Sequence, residues 1–244
     1  MRILVIGATS TIATECERIW AEGPNNHLTL VGRNAEHLDA LKNDLLIRYP
    51  KATYETVVCD FESPQEVESA VVSAGRIDVA LVAHGQLTVQ ETAQDDLNVL
   101  SDSLSINAIS PALFAEAIIK QMQLQGSGTL AVIGSVAGDR ARRSNYVYGA
   151  AKGFLELYCD GLKHRLADTK IAVIFVKPGP TTSKMTLAMA NPPKGMAEAS
   201  AVAADIVSAC SKGKSLTIYT PKKWQLIMFV IRSIPNFVFK KLDI

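Results

Sequence analysis

Ser135, Tyr148 and Lys152 are the residues of this 244-residue chain whose types and spacing most suggest chemistry. Ser135 lies in "IGSVAG", and thirteen residues later "YGAAK" carries Tyr148 and Lys152. Four apart, the tyrosine and lysine fall on one side of a helix. A phenol with a pKa near ~10 is a poor proton donor–acceptor couple at neutral pH. A neighbouring ammonium would lower it toward the working range. Such a set would pass a proton to or from a carbonyl or hydroxyl oxygen. Tyr146 has no such partner, because Ala150 stands four residues after it.

These side chains need a frame. Short apolar runs at Ile3–Ile6, Leu28–Val31, Glu55–Cys59, Val79–Ala83, Thr129–Ile133 and Ala172–Val176 read as strands, with helical patterns between them. The clearest helix is Ala35–Tyr49, where Leu38, Leu41, Leu45 and Tyr49 share a face and Pro50 ends the run. Near-continuous apolar strands imply a parallel sheet covered on both faces. The expectation is one doubly wound α/β domain, a Rossmann fold, over residues 1–244 with a distinct tail at 221–244.

Composition narrows the classes. With 25 basic and 24 acidic residues, the chain as a whole predicts no nucleic-acid partner. The charge is uneven, however: residues 211–244 hold seven cations against one anion. Cys16, Cys59, Cys159 and Cys210 show neither CxxC pairing nor metal-ligand spacing, as expected of free thiols in a reducing compartment. No metal is expected. The first strand begins at once and no apolar run is long enough to span a bilayer, so a cytoplasmic location is expected.

A dinucleotide site needs a tight strand-to-helix turn whose backbone meets a pyrophosphate at a helix N-terminus. "GATSTIA" offers it: Gly7 makes the turn, and Thr9, Ser10, Thr11 and Ile12 follow. Thr11 and Ala13 replace the usual glycines, and Thr11 is the real departure. The second strand ends in "LVGRN", where Gly32 removes the carboxylate that would hold a ribose. Arg33 suits a 2′-phosphate instead, so NADP(H) is expected over NAD(H), unless Arg33 is only a solvated strand-end charge. Asp60 either accepts a bond from an adenine amine or belongs to a turn. In "SINAISP", Asn107 precedes a helix that Ser110 can cap and Pro111 can start.

Taken together these segments resemble the short-chain dehydrogenase/reductase family over essentially the whole chain. The resemblance implies an oxidoreductase that moves hydride between a nicotinamide and a carbonyl or alcohol. Ser135 would orient the substrate oxygen, Tyr148 would exchange its proton, and Tyr148 and Lys152 would also meet the cofactor. Asn107 would hold a water linking Lys152 to solvent. Pro178 and Gly179 would lead into Thr181 and Ser183 at the nicotinamide carboxamide. Of the family's run after the fourth strand, "VAHG" keeps Gly85 alone, and His84 reads as a structural histidine rather than a cofactor contact. A homodimer or tetramer is implied through the Pro111 and Tyr148 helices, with Gly149, Gly153 and Gly161 permitting close helix approach.

"GSVAGDRARRSNYVYGAAK" and "FVIRSIPNFVFKKLDI" resemble, more narrowly, the ketoreductase subunits of decaprenylphosphoryl-ribose epimerases. Those reduce a keto-sugar on a polyprenyl phosphate, supplied by a separate flavin oxidase. Arg140, Arg142 and Arg143 would then clamp the substrate phosphate, the alternative being a solvated loop with salt bridges to a second subunit. The tail, with Trp224, Phe229, Phe237 and Phe239 among Lys222, Lys223, Arg232, Lys240 and Lys241, suits an interfacial contact at the inner membrane face. Packing over the pocket or against another subunit is the other possibility for it. Reduction of a 3-oxoacyl or other lipid ketone is the rival enzymatic reading, and a non-catalytic NADP(H)-binding module the rival outside enzymes.

Overall fold

Seven strands form one parallel sheet in the computed structural model, which describes residues 1–189 and 191–242. They are β1 (Arg2–Ile6), β2 (His27–Gly32), β3 (Thr53–Val58), β4 (Val79–Val82), β5 (Gly128–Ile133), β6 (Ile171–Pro178) and β7 (Leu216–Thr220). The order β3-β2-β1-β4-β5-β6-β7 reverses direction between β1 and β4, which opens a crevice at the carboxyl ends of the strands. The helices are α1 (Thr11–Ala21), α2 (Ala35–Arg48), α3 (Pro64–Ser73), α4 (Gln90–Asp95), α5 (Leu97–Leu104), α6 (Ser110–Gln125), α7 (Tyr146–Arg165), α8 (Lys184–Leu187), α9 (Ala199–Ser211), α10 (Lys223–Ser233) and α11 (Asn236–Phe239).

Alternation along the strands divides two cores. Leu4, Ile6, Leu130, Val132, Val173 and Phe175 face α3, α6 and α7, whereas Ile3, Val5, Leu28, Leu30, Ile174 and Val176 face α1, α2 and α9. All four cysteines are free and buried, Cys59 and Cys159 in the first core and Cys16 and Cys210 in the second. Each of the six expected strands forms, and α2 ends where Pro50 requires. The seventh strand, "LTIYT", was not expected. It is an edge strand with a mostly half-buried pattern, so it lacks the apolar run that marks the others. The tail proper therefore begins beyond Thr220.

One other expectation is corrected. Ser110 does not cap a helix, because α5 continues through a π turn at Ser105–Ile109 directly into α6. The Ser110 hydroxyl instead meets His84 Nε2 at 2.9 Å. Gly149 and Gly153 serve contacts within this chain. A Cβ on Gly149 would lie 2.9 Å from the Ala137 carbonyl oxygen, and one on Gly138 would lie 2.8 Å from the Gly153 nitrogen. These glycines seat the turn after Ser135 on α7. A Cβ on Gly161 would meet open space.

The tail packs back onto the domain. Trp224 lies against Gly179, where an added Cβ would collide with the indole. Arg140 donates to the carbonyls of Ile231 and Ile234 at 2.5 and 2.6 Å and to Asn236 Oδ1 at 3.0 Å, with its guanidinium 3.7 Å above the Phe239 ring. It thus satisfies carbonyls that α10 leaves open at its C-terminus. Among the described residues, no helix is long and apolar enough to cross a membrane.

Candidate active site

Two adjoining cavities occupy the crevice. The inner one, about 290 Å³, is lined by Ser10, Thr11, Ile12, Gly85, Tyr148, Lys152, Pro178, Gly179, Thr181 and Ser183, with Gly134, Lys184 and Met185 also on its wall. The outer one, about 500 Å³, is lined by Gly7, Thr9, Ser10, Arg33 and Gly85, together with His37, Phe61 and Ile106. Ser10, His84 and Gly85 belong to both, so the two form one groove across the switch point.

The walls fit an extended dinucleotide. Gly7 has φ +75°, and a Cβ there would stand 2.8 Å from His84. Ser10 caps α1 by accepting from Ala13 N at 3.3 Å, leaving the helix N-terminus at the groove. Thr11 does put a side chain there: its hydroxyl accepts from Lys184 N at 3.3 Å and joins the two sides of the groove. His37 and Phe61 were not anticipated. His37 follows Arg33 by four residues across the N-cap of α2, and Phe61 forms the wall where Asp60 was expected. Asp60 is exposed, and its Oδ1 accepts from Glu62 N at 3.0 Å, which is the turn alternative.

The inner cavity brings Tyr148 and Lys152, two of the residues expected to transfer a proton, onto one wall. α7 starts at Tyr146 because Gln90 Oε1, rather than an N-cap side chain, accepts from Val147 N at 3.1 Å. Tyr148 in this first turn and Lys152 one turn on line the cavity. Ser135 ends the loop after β5 and accepts from Ala137 N at 3.1 Å. Burial pushes the Tyr148 phenol up to about 12, and its hydrogen bond with Ser135 draws it partly back. The expected lowering by Lys152 is not found, since burial that disfavours the phenolate outweighs the Ser135 hydrogen bond. Lys152 is itself only 3% exposed, and burial brings its ammonium down to about 8. It donates to the Ile133 carbonyl at 3.3 Å and lies 5.6 Å from the Tyr148 ring centre.

Residues 1–193 match the family described as short chain dehydrogenase. This chain belongs to the short-chain dehydrogenase/reductase family. An uncharacterised oxidoreductase of Mycobacterium tuberculosis is 28% identical over 98% of this chain and 96% of its own length. Levodione reductase superposes with a TM-score of 0.79 at 25% identity, covering 89% of this chain and 94% of that one. A short-chain dehydrogenase from Sphingobium yanoikuyae in complex with NADPH gives 0.80 at 21% identity, with 97% of each chain covered.

Within this oxidoreductase fold several expected site residues also make bonds within the chain. The Asn107 side chain, fully buried, donates to the Gln86 and Ser103 carbonyls at 2.8 and 2.9 Å and accepts from Gln86 N at 2.9 Å. It clamps the loop after β4 to the π turn. The Ser183 hydroxyl caps α8 in a reciprocal pair with Thr186, and the Thr181 hydroxyl donates to the Gly179 carbonyl at 2.9 Å. His84 packs on Phe61 and Phe114, and burial takes its imidazole down to about 3, so the ring is neutral. Arg140 is committed to the tail. Arg142 lies against Met228 Sδ at 4.0 Å, with burial lowering its pKa, so these two are drawn to the tail, whereas Arg143 is exposed. Among the described residues no cluster could hold a metal.

Lys152 yields a prediction about stability. An unfolded lysine titrates near ~10.4, so above about pH 8 the folded protein has released a proton that the unfolded chain keeps. Stability therefore rises with pH across that window. Lys152→Met should be more stable than wild type at pH 7, by at most roughly 3 kcal/mol. Its advantage should shrink as the pH climbs through the window. Paired thermal melts from pH 7 to 10 check this, and a variant less stable at pH 7 would contradict it.

Proposed function

We propose that this short-chain dehydrogenase/reductase is an NADP(H)-dependent ketone reductase. The ketone we assign is a sugar carried on a polyprenyl phosphate or a related glycolipid precursor, delivered by a separate flavin oxidase. The observation that carries the reductase reading is the buried Lys152 with Tyr148 on the wall of the inner cavity, the Tyr148 hydroxyl hydrogen-bonded to Ser135. A non-catalytic NADP(H) module would gain nothing from the cost of burying that ammonium.

A nicotinamide cofactor in the groove would supply the hydride. Gly7, Thr9, Ser10, Thr11 and Ile12 would hold its phosphates, and Pro178, Gly179, Thr181 and Ser183 would frame the inner end. Arg33 and His37 would face the 2′-phosphate, as the absence of any carboxylate from the lining of the outer cavity favours. The NADPH complex of the Sphingobium yanoikuyae enzyme supports the same choice. Ser135 donates to the ketone oxygen and orients it. Tyr148, protonated at neutral pH, gives its proton to that oxygen, and Lys152 stabilises the resulting phenolate.

The lipid part of the reading rests on the tail. Leu226, Phe229, Val230 and Phe237 are 70%, 69%, 54% and 73% exposed, among Lys222, Lys223, Arg232, Lys240 and Lys241. Trp224 and Phe239 are turned inward, so two of the four expected aromatic side chains remain for insertion. Such a face suits peripheral contact with an anionic leaflet. Phe154 and Leu157, exposed on α7, are the apolar residues through which a homodimer or tetramer would form.

The reading is tested by NADPH consumption with a polyprenyl-phosphate keto-sugar generated by a flavin oxidase. Tyr148→Phe should bind NADPH normally yet lose at least ~10²-fold in turnover. Near-normal turnover in that folded variant would remove Tyr148 from the mechanism. Calorimetry should show Arg33→Ala weakening NADPH binding by about 1.5–3 kcal/mol while barely changing NADH binding. Tighter NADH than NADPH binding by the wild type would refute the cofactor assignment. Finally, the protein should co-sediment with anionic vesicles, be partly released by high salt, and lose binding without residues 221–244. Indifference to such vesicles at low salt would make the tail a pocket cover or subunit contact.

A further inference from the structure

β6 is apolar from Ile171 to Val176, yet its next residue is a lysine. Lys177 is fully buried. An ammonium is costly in such a place unless it is paired and hydrogen-bonded, and Lys177 is both. It makes an ion pair with Asp139, whose side chain is also sealed from solvent, and donates to Glu156 Oε1 at 2.6 Å. Tyr219, its register partner on β7, donates to Asp139 Oδ2 at 2.9 Å, and its ring centre lies 5.0 Å from the ammonium.

The chain positions of these four residues give the cluster its meaning. Asp139 is four residues beyond Ser135 and ends the short turn (Val136–Gly138) that Ser135 begins. Glu156 is four residues beyond Lys152 and eight beyond Tyr148, on the same side of α7. Lys177 directly precedes Pro178 and Gly179, which line the inner cavity. One ammonium therefore ties together the Ser135 loop, the Tyr148 helix and the strand that leads into the cavity's far wall. Glycines let the first two approach closely, but a glycine contact sets only how near they come. The charged cluster sets where along α7 the loop rests.

We propose that Lys177 is a positioning residue: through Asp139 and Glu156 it fixes the Ser135 hydroxyl against the Tyr148 hydroxyl, and so governs turnover without touching substrate or cofactor. This rests on the reading of Ser135 and Tyr148 as the proton-transfer pair.

Lys177→Met alone would strand two carboxylates, so the test uses Lys177→Met combined with Asp139→Asn, which removes the buried pair together. Phenanthrenequinone, a dicarbonyl, serves as the reducible probe with NADPH. Restored thermal stability is expected in the double variant, with KM and NADPH affinity within about threefold of wild type and kcat lower on the order of 100-fold, the scale for a misplaced reacting group. A merely structural role would return kcat along with stability. A second readout needs no turnover: the tyrosine Cζ resonance that Tyr148→Phe deletes should shift in the double variant, while that of remote Tyr54 should not. If the double variant does not fold, Tyr219→Phe, which deletes one hydrogen bond to Asp139, takes its place, with kcat lower by roughly tenfold expected. A folded double variant with kcat within twofold of wild type and an unmoved Tyr148 resonance overturns the proposal, as does unchanged kcat in Tyr219→Phe. Should Tyr148→Phe itself keep full turnover, it is the proton-transfer reading that fails, so the two ideas are tested apart.

Discussion

A charged amine kept out of water is the constraint around which the site is arranged. Lys152 reaches the floor of the inner cavity with 3% of its surface exposed, and solvent cannot repay the cost of its charge. The surrounding backbone answers to that. The Ile133 carbonyl at the end of β5 accepts from it. A Cβ on Gly85 would fall 3.3 Å from the ammonium and 2.9 Å from Asn107 Oδ1, so the loop after β4 passes without a side chain. Asn107 then holds that loop by its own backbone. The π turn at Ser105–Ile109 carries Asn107 into position, in keeping with the frequent use of such turns at functional sites. Protein stability is surrendered locally to keep a cation beside the Tyr148 ring.

How legible this was in the sequence depended on how local each interaction is. Five strands were readable because a strand buried on both faces must be apolar throughout, and the edge strand β3 because Val57, Val58 and Cys59 still make a short apolar run. β7, at the other edge, was not, since LTIYT carries no such run. Tyr148, Lys152 and Ser135 were readable because one helical turn and one loop set their relation. Arg140 was misread for the opposite reason: its partners are carbonyls some ninety residues away, and a carbonyl leaves no mark on residue type. Asp60 takes the turn alternative that the sequence left open, and the Ser183 hydroxyl caps a short helix while the residue still lines the inner cavity. The π turn likewise has no compositional signal, so Ser110 looked like a cap when it is the partner of His84.

The tail shows how one arginine can decide between a loose appendage and a wall. Without the Arg140 contacts, carbonyls at the end of α10 would face solvent and the segment from Ile234 to Phe239 would lose its anchor. With them, α10 and α11 are joined to the loop that bears Ser135, five residues before Arg140. Whatever the exposed face of α10 meets is thereby connected by a few bonds to Ser135 and the loop that carries it.

The placement of the cysteines has a practical side. Burial raises all four thiols, with Cys159 and Cys210 each at about 12, so at neutral pH they are neither nucleophilic nor readily oxidised. Because Cys59 and Cys159 sit beneath one face of the sheet and Cys16 and Cys210 beneath the other, the chain carries a built-in pair of clocks. A thiol-alkylating reagent can reach each pair only when its own layer of helices lifts away. The order in which the four sites are labelled would record which side of the sheet opens first.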